Sequence, residues 1–329
     1  MTQVCIVGAG AIGGFIGAKL AAAGHAQVSA LARGATLEAL RAHGWRLNTA
    51  QGLLQSELAA ASEHAGDLGV QDLVVIAVKG PALAHVVRGI GPLIGPATLV
   101  MPAMNGVPWW FCRGVAGFPE TLRSVDPTGE VNAAIPFEQV IGCVVHASSS
   151  VSEPGLVQHK LGQGLIVGEP VGGTSERVQR IVDLVSEAGF DATHSTDIRF
   201  DIWYKLWGNM TMNPVSAITG ATGDRILADP LVRGFCSAAM AEAQKIGARI
   251  GCPITQSPED RHEVTSRLGA FRTSMLQDAD AGRAIELDAI VGVVREIGER
   301  LGIATPCTDI LFGLARLFGR VHGLYPQVA

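Results

Sequence analysis

Three glycines near the start of the chain stand at a spacing that suits phosphate chemistry. The run Gly8-Ala9-Gly10-Ala11-Ile12-Gly13 is a G-x-G-x-x-G that follows the strand-like Val4-Cys5-Ile6-Val7 and opens a helical stretch, Ile12–Ala23. In that setting Gly8 permits a tight turn. Gly10 lets the backbone approach a pyrophosphate seated on the helix N-terminus, and Gly13 lets helix and strand pack closely. The whole run, Ala9, Ala11 and Ile12 included, is expected to contact a dinucleotide. The end of the second strand indicates which one. It reads Ala30-Leu31-Ala32-Arg33-Gly34, with no carboxylate before Glu38 to hold a ribose 2′-hydroxyl. The fork of Arg33 suits a 2′-phosphate, so the pattern points to NADP. Lys79, in Val78-Lys79-Gly80, and Asn105, in Met104-Asn105-Gly106, end the next two strands. Ligands of open α/β sheets bind there, although each residue alone is no more than a surface charge or a turn.

A second polar group lies far downstream. Lys205, Asn209 and Asn213 recur every four residues, so on an α-helix they drift by only about 40° per step and line one face. A lysine and two amides among Trp203, Leu206, Trp207 and Met210 are out of place on a core helix. Pro214 is expected to kink that helix just after Asn213. Farther on, Thr273–Asp278 reads as the end of one helix, Gly282 as a break and Ile285–Asp288 as the start of the next. Such a corner could bring Ser274 and Glu286 together. A glutamate in a first helical turn is also ordinary capping electrostatics.

Positioning these groups requires two kinds of architecture. Short apolar runs at Val4–Val7, Val28–Ala32, Leu73–Val78 and Thr98–Met101 alternate with helical stretches, which predicts a doubly wound, mostly parallel sheet. Trp45–Thr49 and Leu53–Ser56 flank Gln51-Gly52 and read as a polar hairpin inserted in that sheet. Val140–Ala147, Leu156–His159 and Leu165–Val167 read as antiparallel edge strands closing the first domain. From Ile198 strand signals stop, and Val291, Val294, Ile297 and Leu301 recur at helical spacing. The expectation is an α/β Rossmann-type N-terminal domain at 1–195 and an all-α C-terminal domain at 196–329 that carries the polar stripe.

Composition narrows the partners. The chain has 329 residues, 48% of them apolar, enough for two cores. A net charge of -5 and 5% aromatics provide neither a basic patch nor a stacking platform, so nucleic acid is not an expected partner. The mean hydropathy is +0.30, yet no run reaches the roughly 18 apolar residues that a membrane span needs. No signal-peptide pattern precedes Val4, so a cytoplasmic location is expected. The six cysteines form no C-x-x-C pair and gather no histidines. They read as free thiols rather than metal ligands.

Taken together, the chain resembles the ketopantoate reductases (2-dehydropantoate 2-reductases) over nearly its whole length. The resemblance is carried by GAGAIGG at 8–14, VKG at 78–80, NG at 105–106, WYKLWGNMTMNPVSAITG at 203–220 and SMLQDADAGRAIELD at 274–288. It implies NADPH-dependent reduction of 2-dehydropantoate to pantoate, on the route to pantothenate and coenzyme A. It implies Lys205 as the catalytic lysine and Glu286 as its acidic partner. Asn105, Asn209, Asn213 and Ser274 would then contact the small 2-oxo acid substrate, and Gly8, Gly10, Gly13, Arg33 and Lys79 the cofactor, with Asn105 at the edge of both. Hydride arriving at a ketone carbon leaves negative charge on the ketone oxygen, which a lysine can stabilise and protonate. The glutamate would orient the substrate hydroxyl or the lysine, and Ser274 and the asparagines would hold a carboxylate. A homodimer is compatible with this reading.

Two departures bear on the substrate. Members of the family commonly run from the Asn-Gly turn into a short helix, whereas here Val107-Pro108-Trp109-Trp110-Phe111 begins a long insert reaching about Phe137. Its aromatics either form a lid or line the pocket, or they pack the insert or a dimer contact. Where some members carry a further asparagine, this chain reads Thr222-Gly223-Asp224. The alternatives are therefore a related reductase of another small 2-oxo acid or ketone, and a non-catalytic NADP-sensing regulator. The regulator would be expected to have drifted at Lys205 and Glu286.

Overall fold

Strand β1 (Thr2–Val7) pairs in parallel with β2 (Ala26–Leu31) on one side and with β6 (Leu73–Ile76) on the other, and its last four residues are buried. Helix α1 (Ala11–Ala23) joins β1 to β2. Helix α2 (Gly34–His43), the hairpin β3 (Trp45–Thr49) and β4 (Gly52–Ser56), and the short β5 (Ala61–Ser62) precede β6. Helix α3 (Gly80–Val87) then leads to β7 (Leu99–Pro102). The parallel sheet has the order β5-β2-β1-β6-β7. Its connections diverge on either side of β1, the switch point at which doubly wound sheets bind their ligands.

The computed structural model describes residues 1–327 and divides into two compact units. The first is Met1–Met104 with Gly129–Asp201, and the second is Asn105–Thr128 with the chain from Ile202 on. The division falls inside α6 (Ile198–Thr219), beyond the expected 195–196 junction, and the segment 105–128 belongs to the helical unit.

After α4 (Glu130–Ala134), the first unit adds β8 (Gly142–Glu153), β9 (Leu156–Gly168), α5 (Glu176–Glu187) and β10 (Asp191–Ser195). These build a second sheet, and here the structure corrects two expectations. The hairpin β3–β4 is not inserted in the parallel sheet: β3 pairs with β9, giving the order β10-β9-β3-β4 with β8 on the far flank of β9. The three short edge strands are in fact two long ones. Gly162 (φ 70°) marks a register shift, and the β8–β9 ladder resumes beyond it. Helix α1 packs against strands of both sheets. Apart from Lys19 it is apolar, and most of it is buried. Gly17 makes room for the Trp45 ring, which a Cβ there would meet at 2.6 Å.

The second unit contains the rest of α6, α7 (Gly223–Ala228), α8 (Pro230–Arg249), α9 (Pro258–Ser266), α10 (Ser274–Asp280), α11 (Val293–Leu301) and α12 (Pro306–Val321). The aromatics of the insert are core residues of this unit. Trp109, Trp110 and Phe111 are 2%, 1% and 0% exposed, and Phe111 stacks on Trp203 with ring centroids 5.9 Å apart. Enclosed side chains cannot form an exposed lid, so packing is the role that the structure supports. Trp110→Ala is expected to destabilise the protein by about 3–5 kcal/mol, the usual cost of emptying a buried aromatic site. Denaturant unfolding measures this, and a loss below about 1 kcal/mol would contradict it. Among the described residues no helix is long and apolar enough to cross a membrane. All six cysteines are free, with burial pushing the Cys5 thiol up to about 12 and Cys236 to about 11.

Candidate active site

The glycine run of the first unit has the geometry that each of its positions demands. Gly8 lies at φ 93°, and its N–H donates to Leu31 O at 3.0 Å. Any Cβ on Gly13 would sit 2.1 Å from Gly8 O, so only glycine lets α1 start so close to β1. Gly10 differs. It is the N-cap of α1 at φ -80°, and nothing lies within 4 Å of where its Cβ would be. The protein itself places no demand for glycine there. A phosphate approaching the backbone would, and α1 offers its first N–H groups without a side-chain cap or an acidic residue in the first turn. Ala9 completes the turn, and Ala11 and Ile12 begin the helix.

Arg33 follows β2 as the N-cap of α2. It is exposed and makes no ion pair among the described residues. Lys79 is half-buried at the N-cap of α3, just after β6. A flexible cation at the end of β2, with no acid beside it, fits a 2′-phosphate. The turns after β1, β2 and β6 therefore have the residue types for a dinucleotide.

In the second unit, Lys205 Nζ donates to Asn105 Oδ1 at 3.0 Å across 100 residues of sequence. The turn that holds Asn105 is tightly specified. Gly106 lies at φ 82°, a Cβ on it would strike Ala289 O at 2.3 Å, and Val107 N–H donates to that same carbonyl at 2.9 Å. Ala289 lies in a π-helical turn, Asp288–Gly292, a local widening common at functional sites. Asp288 accepts from the Tyr325 hydroxyl at 2.7 Å, and burial raises its carboxyl above the usual range. Glu286 is 9% exposed and precedes this turn. The helical run begins just after Glu286, at Leu287, and Ile285 N–H, ahead of that run, donates to Leu324 O at 3.0 Å.

Helix α6 continues through Pro214, which has no N–H to offer Met210 O. Asn209 is half-buried. Asn213 is 5% exposed, and its Nδ2 has no hydrogen-bond partner. Leaving a buried donor unsatisfied costs about 1–3 kcal/mol, so such a group points to an acceptor supplied from outside. Ser274 is an exposed first residue of α10, and Thr273 caps that helix by accepting from Leu276 N at 3.2 Å. The segment 273–278 thus begins a helix instead of ending one.

A relay invisible in the sequence links these pieces. Thr273 and Ser216 hydroxyls bond to each other, and Ser216 donates to Asn213 O at 2.9 Å. Both hydroxyls are buried, so the turn bearing Asn213 and the start of α10 bearing Ser274 are fixed relative to one another. Ser216→Ala would leave the Thr273 O–H without its acceptor. Stability is expected to fall by about 1–3 kcal/mol, and KM for the substrate should rise several-fold without change in cofactor affinity. Steady-state kinetics beside a thermal melt check this, and an unchanged KM would remove the relay from the site.

The profile of the family described as "Ketopantoate reductase PanE/ApbA" matches residues 4–172, and that described as "Ketopantoate reductase PanE/ApbA C terminal" matches residues 197–318. The chain is 41% identical over 325 residues to a 2-dehydropantoate 2-reductase of Mesorhizobium japonicum, across 98% of this chain and 99% of that one. A crystal structure from Ralstonia solanacearum MolK2, provisionally described as a ketopantoate reductase, is 53% identical with a TM-score of 0.95, over 98% of this chain and 99% of that one. The crystal structure of 2-dehydropantoate 2-reductase from Methylococcus capsulatus is 27% identical with a TM-score of 0.82, over 97% of each chain.

Proposed function

The chain belongs to the ketopantoate reductase family, and from that membership we propose that it reduces 2-dehydropantoate to pantoate with NADPH. The observation that carries the reading is the Lys205–Asn105 hydrogen bond, with the unpaired Asn213 amide on the same helix face. Bound NADPH would supply the hydride that reduces the ketone carbon. The residues of this chain have the remaining work. Asn105 Oδ1 accepts one N–H of Lys205 and so helps to aim the ammonium at the ketone oxygen. As charge grows on that oxygen, Lys205 stabilises it and transfers a proton to it, which completes the alcohol. Asn213 Nδ2 and the Ser274 hydroxyl donate to substrate oxygens. The Glu286 carboxylate accepts from the substrate hydroxyl and so fixes the substrate's orientation.

The cofactor is a nicotinamide dinucleotide, and Arg33 supports the phosphorylated form. Losing one charge-assisted contact is worth about 1.5–3 kcal/mol. Arg33→Ala is therefore expected to weaken NADPH binding by about 10- to 100-fold and to leave NADH binding unchanged. Fluorescence titration measures both, and equal affinities in the unaltered protein would contradict the preference.

One observation favours a second reading, a different small 2-oxo acid or ketone. The Phe271 ring fills the space at Gly223, where a Cβ would lie 2.0 Å from a ring carbon. Position 223 itself therefore has no room for an amide side chain. Comparing kcat/KM across a panel of 2-oxo acids tests the assignment. Ketopantoate should be the best substrate, and a tenfold better rival would transfer the activity to that compound.

A further inference from the structure

The last residues of a chain usually fray unless something ties them down. In the second unit they are tied. Helix α12 ends at Val321, and Gly323 (φ 67°) turns the chain back. The Leu324 and Tyr325 N–H groups then both donate to Gly319 O, at 2.7 and 3.1 Å. Beyond them Arg320 Nε donates to Pro326 O at 3.2 Å, and Gln327 Nε2 donates to Arg320 O at 2.8 Å. The returned segment lies against residues 285–288. Leu324 O accepts from Ile285 N–H, and Tyr325 Oη donates to Asp288 Oδ1. Leu324 and Ile285 are buried. Gly319 permits the approach, since a Cβ there would lie 2.7 Å from Tyr325 Cβ and 3.1 Å from Ile285 Cδ1. Glycine weakens a helix interior, and this contact accounts for its presence in α12.

We propose that Leu324 and Tyr325 form a strap that sets Glu286 in place for the substrate, with Tyr325 as a positioning residue. The proposal rests on the orienting role of Glu286 given above. Glu286 stands between the two points that the strap holds, Ile285 before it and Asp288 after it, and its own backbone is not helical. A carboxylate that must meet a substrate hydroxyl tolerates little displacement. The strapped segment also runs directly into Ala289, whose carbonyl accepts from Val107 N–H beside the Asn105 turn. The strap therefore reaches, at one remove, the residue that helps to aim Lys205. Burial raises the Asp288 carboxyl, and the Tyr325 hydrogen bond and the charge of Arg316 oppose that rise. Burial and the bond to Asp288 push the Tyr325 hydroxyl up, so it keeps the proton that it donates. Without that hydroxyl, Asp288 Oδ1 loses a donor in a buried setting, and the segment gains by shifting toward water.

Steady-state kinetics of the full chain, beside thermal melts, provide the test. Tyr325→Phe keeps the ring and removes only the donor. It should raise KM for ketopantoate by about tenfold, lower kcat by less, and leave NADPH affinity unchanged. In a Glu286→Ala background the same substitution should change kcat/KM hardly at all, because the residue it positions is gone. Asp288→Asn keeps an acceptor for the hydroxyl and should stay close to the unaltered protein. Tyr325→Phe combined with Asp288→Leu removes both polar partners, a change that leaves no group unsatisfied. Its melt should approach that of the unaltered protein while the raised KM remains, so it carries the test even if Tyr325→Phe alone fails to fold. A KM that returns to normal together with the melt would make the strap purely structural and overturn the proposal. So would a full further loss in the Glu286→Ala background. An unaltered protein that does not turn over ketopantoate would remove the catalytic reading and this proposal with it, whereas turnover with an unchanged KM in Tyr325→Phe would overturn the strap alone.

Discussion

Lys205→Ala is expected to lower kcat for ketopantoate by about 10²- to 10⁴-fold, the usual cost of losing a general acid, with NADPH affinity unchanged. The expectation follows from the division of labour between residues. The turns after β1, β2 and β6 that we propose for the dinucleotide belong to the first unit, whereas Lys205 and Asn105 belong to the second. The developing alkoxide needs a cationic donor at hydrogen-bonding distance, and Asn105 already aims the ammonium of Lys205. Asn105→Ala should therefore reproduce part of the defect by removing one of the contacts that aim the lysine, with a smaller fall in kcat. Single-turnover kinetics separate hydride transfer from product release. A Lys205→Ala protein with near-normal single-turnover rate would end the assignment of this lysine as the proton donor.

Glu286→Ala should be nearly as damaging in kcat/KM, by about 10²-fold or more, but with a different signature. Its carboxylate is almost fully buried, and a hydrogen bond from a substrate hydroxyl to a charged group contributes about 1.5–3 kcal/mol, more where water is excluded. The loss should appear largely as a raised KM for ketopantoate. Glu286→Gln keeps the shape and an acceptor and should recover part of it. If Lys205 and Glu286 grip one substrate, their losses will not add in the double variant. Full additivity would mean that the two residues act on separate steps, and the orienting role of Glu286 would have to be withdrawn.

What the sequence made legible was local. The Gly8–Gly13 run, the apolar strands that flank it and the four-residue spacing of Lys205, Asn209 and Asn213 each carry their meaning within one element. The second sheet was not legible, because pairing β3 with β9 is a long-range choice and the glycines at 162–164 look like a stop when they are a bulge. The start of α10 was misjudged although a signal existed: Thr273 is a good N-cap, followed at once by the buried pair Met275 and Leu276. The burial of Trp109 and Trp110 had no local signal, since an aromatic pair reads alike in a lid and in a core. The Ser216–Thr273 bond and the clamp of Gly106 on Ala289 join positions 57 and 183 residues apart. No spacing rule reaches that far.

The most direct test is to incubate the purified protein with NADPH and ketopantoate and to follow cofactor oxidation and product together by NMR. The account predicts ketopantoate-dependent loss of NADPH with pantoate formed one for one, and none of either in the Lys205→Ala protein. No ketopantoate-dependent oxidation of NADPH at saturating concentrations of both, from a folded protein that still binds the cofactor, would contradict it.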